Sequence, residues 1–561
     1  LHVSIRSTAF LLILISFAIM RVPASAGTVA NKIQIHRQLS PTEVVTAWIY
    51  FVDKGNSSVT LSNTAAISGK ALRRRARRAS IPNTESLDRE VNPVYIDQIR
   101  PLVQKIRHRS RWLNAVSVKV SASELEQLAS MPFVEKITEV ARYISVPIPA
   151  SQNEGPYKPS DNNPPPYGES YSQLLQIGVI DLHARGLTGA GVTVLMLDTG
   201  FKVTHPAFQT TDIDSTWDFI NGDADVEDST GNLGQQSHGT ETLSTIGGFA
   251  YGDVVGAAYG ATFLLAKTER LDNSVPAEIQ DADDWVAGIE WGEALGADVV
   301  SSSLGYTVQY TYADMNGNTT EVTIAADMAA ALGLMVCNSQ GNAPTSFVIA
   351  PADGDSVIAV GAVDITGQIA SFSVHGPTYD GRIKPDVCAL GVHDRVALST
   401  GGYGYGSGTS FSCPLVAGAV ALLLESHPDW DYGQLYRGLT STASHSGDPN
   451  NIYGYGIIDA ALADNAEMAK VKNLLAYPNP CSTSVTFAIP VQGAGHVTVR
   501  IYTVAAEKVV QLERDVPSAT NALVRWDLLN NKGKRISDGI YVVYVSGPGI
   551  SETTKILKVG G

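Results

Sequence analysis

The chain has 561 residues, a formal net charge of −15, 51 glycines and only 17% charged residues. That length provides for several domains, the composition suits a large buried α/β core with many tight turns, and the acidic balance argues against nucleic acid as a partner. The charge is uneven: residues 27–166 hold 19 Lys and Arg against 12 Asp and Glu, whereas residues 167–561 hold 19 against 43. A basic segment ahead of an acidic one could dock on it; two solvated surfaces of different composition would give the same balance.

Residues 1–26 read as a secretory leader, with Arg6, an apolar run at 9–20 and the small residues Ala24-Ser25-Ala26 for cleavage. The run is too short to favour a membrane span, and the later apolar run 413–424 is of buried-helix length. Export is therefore expected. Residues 27–150 form a first folded unit. In it, LNAVSVKVSASELEQLASMPFVEKITEV predicts a strand (115–120), a helix (122–130) and a strand (133–140), with Ser121 and Glu124 as a capping box. RRRARR at 73–78 reads as an exposed loop, either solvated or a processing site. Residues 151–166, SQNEGPYKPSDNNPPP, are a proline-rich extended linker.

From 167 to 465, near-continuous apolar runs alternate with helical patterns, as in a parallel sheet covered on both faces. The strands are expected at 192–198, 262–267, 297–304, 334–339 and 356–364. Residues 474–561 read as all-β: SVTFAIP, HVTVRIYTV, ALVRWDLL, GIYVVYVSG and TKILKV, separated by turn residues, predict a small sandwich.

Four residues stand where chemistry could be built. VTVLMLD ends at Asp198, followed by Thr199-Gly200, which puts a carboxylate at the C-terminal edge of a strand. His238 opens a small-residue helix in SHGTETLSTIGG, and Asn342 follows Gly341 after the strand LMVCNS. Ser410 lies in GSGTSFSCPLVAGAVALLL, where a helix should begin near 409 or 410, because Pro414 is best tolerated in a first turn. Each has an ordinary structural reading when taken alone: an Asx-turn, a surface or core histidine, a Gly-Asn turn and an N-cap serine. Together they supply a nucleophile, a base, an orienting carboxylate and an oxyanion donor. The alternative G-x-S-x-G elbow fails, since Ser412 stands two after Ser410 and Tyr405 two before Ser407. The four cysteines, Cys337, Cys388, Cys413 and Cys481, form no CxxC pair and no disulfide framework, although export would permit one disulfide.

The stretches GAGVTVLMLDTG (189–200), HGTETLSTIGG (238–248), ADVVSSSLGY (297–306), QGNA (340–343), PADGDSVIAVGAVD (351–364), FSVHGPTYDGRIKPDVCALG (372–391), GTSFSCPLVAGAVALL (408–423) and YGYGIIDAALA (453–463) give residues 175–465 a resemblance to the subtilisin-like serine peptidases. The resemblance implies a three-layer α/β/α fold with a parallel sheet and peptide-bond hydrolysis in polypeptide substrates. It implies Asp198, His238 and Ser410 as the triad and Asn342 as oxyanion donor. Ser303, Leu304 and Gly305 match the strand that lines the specificity pocket and pairs with the substrate backbone. The chain departs from the family pattern at SQGNAP, at His375 before Gly-Pro, and at Cys413, which reads as packing. Residues 112–140 resemble the α+β inhibitor propeptide of these peptidases, an intramolecular inhibitor cut off between about 144 and 170. Residues 474–561, with the start AYPNPCSTSVTF, resemble C-terminal sorting domains of the type IX secretion route, whose partner is secretion machinery; an ordinary β accessory domain is the alternative. The chemistry implied needs no cofactor. Structural calcium stays open at DFINGDADVED (218–228) and DMNGN (314–318), where solvated acidic turns would look the same. A silent relative that binds peptides or glycans, and a ligase using the same acyl-enzyme, are the rival readings.

Overall fold

The computed structural model describes residues 29–558, apart from 36, 56–66, 82–83, 144–165, 228–236, 271–279, 344–346, 466–473, 478–480, 482–483, 492 and 517–520. The expected leader, most of the proline-rich linker and the expected cleavage segment up to 165 thus lie outside the described residues.

The strand Val44–Phe51, VVTAWIYF, shows how the first unit is built. Successive side chains of a strand point to opposite faces. Val45, Ala47, Ile49 and Phe51 enter the unit's own core, with Ile96, Leu125 and Leu128 from its helices. Trp48 and Tyr50 face the other way and join a second core, shared with Trp285, Ile289 and Val322 of the following domain. The sheet has five strands in the order Ile33–Gln34, Val134–Glu139, Val44–Phe51, Ala115–Ser121, Lys105–Ser110. The predicted strand–helix–strand of 115–140 is present, but the helix opens with a 3₁₀ turn and Ser121 makes no cap. Its hydroxyl instead accepts from Gln104 Nε2 at 3.2 Å.

The central domain carries a seven-stranded sheet, all of whose neighbouring pairs are parallel. In chain order its strands are Thr193–Asp198, Asp212–Asp218, Thr262–Lys267, Val299–Ser302, Met335–Ser339, Val357–Val363 and Val387–Leu390, and across the sheet they run second, third, first, fourth, fifth, sixth, seventh. The helices Ser237–Gly247 and Thr409–Ser426 pack on one face, and Ala282–Leu295 and Glu321–Ala331 on the other, giving three α/β/α layers. Thr409–Ser426 is long and apolar enough by length and composition to cross a membrane, longer than the sequence reading allowed, but 89% of it is buried in this core. The last section forms sheets of three and four strands around one core that includes Phe487, Val499 and Val543. This is consistent with the expected β-sandwich.

RRRARR is not a loop, and only part of it is solvated. It lies in the helix Gly69–Arg78, whose Arg74, Arg75 and Arg78 are buried. The basic-on-acidic balance is realised as direct pairing. Along the helix Ala282–Leu295, Arg107 donates to Asp283 at 2.7 Å and to Asp284 at 2.7 Å, while Arg111 reaches Glu293 at 3.0 Å. Tyr50 and Thr138 both donate to Glu321 at 3.1 Å.

All four cysteines are buried and unbridged, so the one disulfide that export would permit does not form.

Trp48 is fully buried between the two units. Trp48→Ala should lower the stability of the full chain by about 3–5 kcal/mol, the usual cost of deleting a buried indole. The midpoint of denaturant unfolding checks this, and a shift below about 1 kcal/mol would show that the interface does not depend on this ring.

Candidate active site

Asp198 is the last residue of the first strand, at the point where the strand order reverses, which is where open α/β sheets leave a crevice. Its carboxylate is fully buried and accepts three hydrogen bonds: from Thr199 N at 2.7 Å, from Thr242 Oγ1 at 2.9 Å and from His238 Nδ1 at 2.7 Å. His238 is in the first turn of the helix Ser237–Gly247, and 26% of its side chain stays accessible. Gly239 explains how the helix comes so near the strand: a Cβ there would lie 2.1 Å from Gly200 O. Only a residue without one permits the approach.

Ser410 is the second residue of the helix Thr409–Ser426, which begins where the sequence placed it. Pro414, however, lies beyond the first turn. A helix would normally use the N–H of residue 414 to satisfy the carbonyl of 410, and proline has none. Ser303 Oγ takes that place, donating to Ser410 O at 2.8 Å. Ser410 Oγ in turn donates to Ser303 O at 3.5 Å, so the two serines clasp. Ser303 therefore supports the serine turn, a role the sequence did not reveal. The His238 ring lies 6.3 Å from that of Phe411, the residue after Ser410.

Asn342 follows Gly341, whose φ of +107° is glycine territory. Its Oδ1 accepts from Thr409 N and Thr409 Oγ1, both at 2.9 Å. With the oxygen tied to the turn before Ser410, the Nδ2 donors are left on the other side of the amide. Thr409 was not singled out in the sequence.

Leu304 and Gly305 continue the strand edge from Ser303. The Leu304 carbonyl accepts from Asn338 Nδ2 at 3.0 Å, and a Cβ at Gly305 would strike Ile349 Cδ1 at 2.1 Å. Just beyond, Val308 N donates to Arg142 O at 2.9 Å, while Arg142–Tyr143 pairs antiparallel with Gln280–Asp281. The end of the first unit thus lies as an added strand between Val308 and Gln280–Asp281, the geometry by which a sheet edge captures an extended peptide.

Three carboxyl groups surround the histidine. Its protein surroundings disfavour the imidazolium, but Asp198, by charge and hydrogen bond, and then Glu241 and Glu269 outweigh this and raise its pKa to about 9. Glu241 is itself pushed up to about 7 by burial. Glu269, buried and hydrogen-bonded by Tyr306 Oη at 2.8 Å, is raised well above the usual carboxylate range by burial. The signal for Glu241 was in HGTET, since residues three apart on a helix are neighbours. Glu269 gave no signal, because a loop brings it in. Cys413, which the sequence read as packing, is fully buried, and burial pushes its thiol up to about 12. It is no candidate nucleophile.

In the two acidic loops Asp218, Asp314 and Asn316 have partners within the chain. Asp218 accepts from Ile220 N, Asn221 N and Asn221 Nδ2, and Lys267 Nζ sits 3.1 Å from it in a cation's place. Asp314 and Asn316 are engaged by the hydroxyls and amides of their own turn. The grouping of His108, Asp283 and Asp284 is spanned by Arg107.

A buried carboxylate, an imidazole hydrogen-bonded to it and a serine at a helix start, on the edge of a parallel sheet, are the parts that a serine-nucleophile hydrolase requires. The Subtilase family profile matches residues 189–456, and a profile of the Peptidase S8 propeptide domain of Bacteroidota matches 46–155. Subtilisin E of Bacillus subtilis is 31% identical over 369 residues, covering 64% of this chain and 83% of that protein. Subtilisin of Bacillus pumilus is 35% identical over 306 residues, or 53% of this chain and 98% of the relative. A thermostable alkaline protease of Halalkalibacterium halodurans is 28% identical over 357 residues, covering 64% and 84%. The chain belongs to the subtilase family: it is a serine endopeptidase made with a propeptide, and chemistry of this class needs no cofactor.

A base must be neutral to accept a proton, so a raised histidine pKa moves the acidic limb of kcat/KM upward. That limb should lie well above the ordinary histidine value of about 6.5. Glu241→Gln removes a negative charge and should move it down by about half a pH unit or more; an unmoved or raised limb would refute the assignment. Ser303→Ala leaves the Ser410 carbonyl buried without a donor and should cost about 1–3 kcal/mol in denaturant unfolding. Unchanged stability would show that the clasp is dispensable.

Proposed function

We propose that Asp198, His238 and Ser410 are the catalytic triad of a secreted endopeptidase that inhibits itself until its first unit is cut away. Ser410 Oγ, rotated from the Ser303 carbonyl toward His238, attacks the scissile carbonyl. His238 takes the proton and returns it to the leaving amine. Asp198 holds the ring through Nδ1 and stabilises the imidazolium, while Asn342 Nδ2 and the Ser410 N–H receive the oxyanion. Ser303, Leu304 and Gly305 form the edge along which substrate lies. The single observation that carries the triad is the 2.7 Å hydrogen bond of His238 to a fully buried Asp198.

In this reading, residues 1–26 are the export signal, 27–150 the inhibitory propeptide, 151–166 the linker and 167–465 the peptidase. The strand addition of Arg142–Tyr143 supports cleavage shortly after it. Residues 474–561 act as a sorting domain that engages secretion machinery and takes the protein across an outer membrane. The YPNP start and the sandwich support this.

A fluorophosphonate probe should label the purified exported protein and fail to label Ser410→Ala. The mass of the labelled band should lack the first unit. A folded protein freed of residues 27–166 that takes no label would overturn the triad.

A further inference from the structure

Of the five arginines in the helix Gly69–Arg78, Arg74, Arg75 and Arg78 are buried, while Arg73 and Arg77 are exposed. The helix contributes nothing to the core of its own unit, which is made by the sheet and the helices around Ile96 and Leu128. Apart from a tie to its own unit, where Arg75 also pairs with Asp88 at 2.7 Å, its buried face turns to the next domain. There it meets the C-terminal ends of two helices, Ala282–Leu295 and Glu321–Ala331, which present only acceptors. Ser68 N donates to Ala294 O at 2.8 Å, Ser80 N to Ala331 O at 2.9 Å and Arg78 Nε to Pro428 O at 2.9 Å. Arg74 donates to Ala297 O and to the Glu293 carboxylate; Arg75 reaches that carboxylate at 2.8 Å, and Arg78 reaches Asp298 at 3.1 Å.

Two helix dipoles point their negative ends into this recess, beside two buried carboxylates. A planar cation with five N–H donors suits it better than a lysine would. Gly296 and Gly333 end the two helices at φ +101° and +92°, and their missing side chains make the room: a Cβ at Gly296 would lie 2.7 Å from Lys70 Cβ, and one at Gly333 2.9 Å from Arg78 Cβ. Asp298 precedes the strand Val299–Ser302, so the recess lies at the N-terminal edge of the sheet. The triad is at the opposite edge, about 20 Å away by strand length.

We propose that this recess is a second docking surface whose partner is the arginine helix Gly69–Arg78, and that it keeps the propeptide bound after the chain between the two units is cut. This rests on the reading of the first unit as a severed inhibitor. The strand Arg142–Tyr143 holds the propeptide at the cleft and loses its covalent tether on cleavage, whereas the arginine helix loses nothing. Release of the peptidase then waits on the arginines.

The test uses the full chain, allowed to process itself. Arg75→Gln with Arg78→Gln is compared with Arg73→Gln with Arg77→Gln, which removes the same charge from the exposed face of the same helix. All these residues leave with the propeptide, so the mature peptidase is identical in every case. Processing is read from fragment masses and release from the lag before activity appears. The buried pair should process normally and shorten the lag by about tenfold or more, since charge-assisted bonds at an interface act mainly on dissociation. The exposed pair should leave it unchanged. A lag within about twofold of wild type for the buried pair, or equal shortening by the exposed pair, would overturn the proposal. A chain that is never cut would instead count against the propeptide reading. If the buried-pair variant does not fold, hydrogen exchange on the wild-type chain decides. Amides of 69–78 should lose protection in the same step in which activity appears; free exchange there while activity is still blocked would refute a latch.

Discussion

The site depends on a carboxylate that is buried at the end of a hydrophobic strand. Asp198 has no exposed surface, and a buried charge without partners is among the costliest features a fold can hold. Its environment is therefore tightly constrained. Thr199 N comes with the strand turn, but the other two donors, Thr242 and His238, sit one helical turn apart on the helix Ser237–Gly247. To deliver both, that helix must press its first turn against the strand end, and the glycine at 239 is the residue that permits it. The small residues of HGTETLSTIGG are thus a packing requirement set by one carboxylate. The serine helix then packs beside this helix and brings Ser410 to the same edge.

The same electrostatic logic explains why the first unit is basic. The helix Ala282–Leu295 carries buried acids at both ends. Asp283 and Asp284, in its first turn, sit favourably at the positive end of the dipole. Glu290 and Glu293 are near its negative end, where dipole and burial both act against them. Burial pushes Glu290 up to about 6, even with Arg111 and Ser110 beside it. Guanidinium groups from the first unit answer these acids, Arg111 from the turn after the strand Lys105–Ser110 and Arg74 and Arg75 from the arginine helix. The helix is built to be covered by cations, and the charge asymmetry between 27–166 and the rest of the chain is the outward sign of that need.

What could be read from the sequence followed from local rules. The apolar strands, the Asp at a strand end, the glycine-asparagine turn and the serine before an apolar helix each depend on neighbours a few residues away. The misses depend on distance. RRRARR has no apolar periodicity, and its helix forms because partners such as Asp298, 220 residues along the chain, fix its buried face. The strands Asp212–Asp218 and Lys508–Val516 carry little sequence signal because both lie at sheet edges, where alternation is weakened by polar and charged residues. The role of Ser303 was hidden because it answers a gap in hydrogen bonding left by Pro414 on another element.

The interface between the two units combines two kinds of contact that do different work. Trp48, Tyr50 and Trp112 join an apolar cluster with the helices of the peptidase, and burial of such surface, at about 25 cal/mol per Å², is the main attraction. Buried ion pairs add less net free energy, because each charge must first be dehydrated. Their weight lies in asymmetry: with the arginines in place the acids are satisfied, and with one arginine missing a buried carboxylate is left behind. An interface of this kind tolerates little partial opening at its charged positions. The propeptide is thereby fixed in one register on the peptidase, with Arg142–Tyr143 paired to Gln280–Asp281.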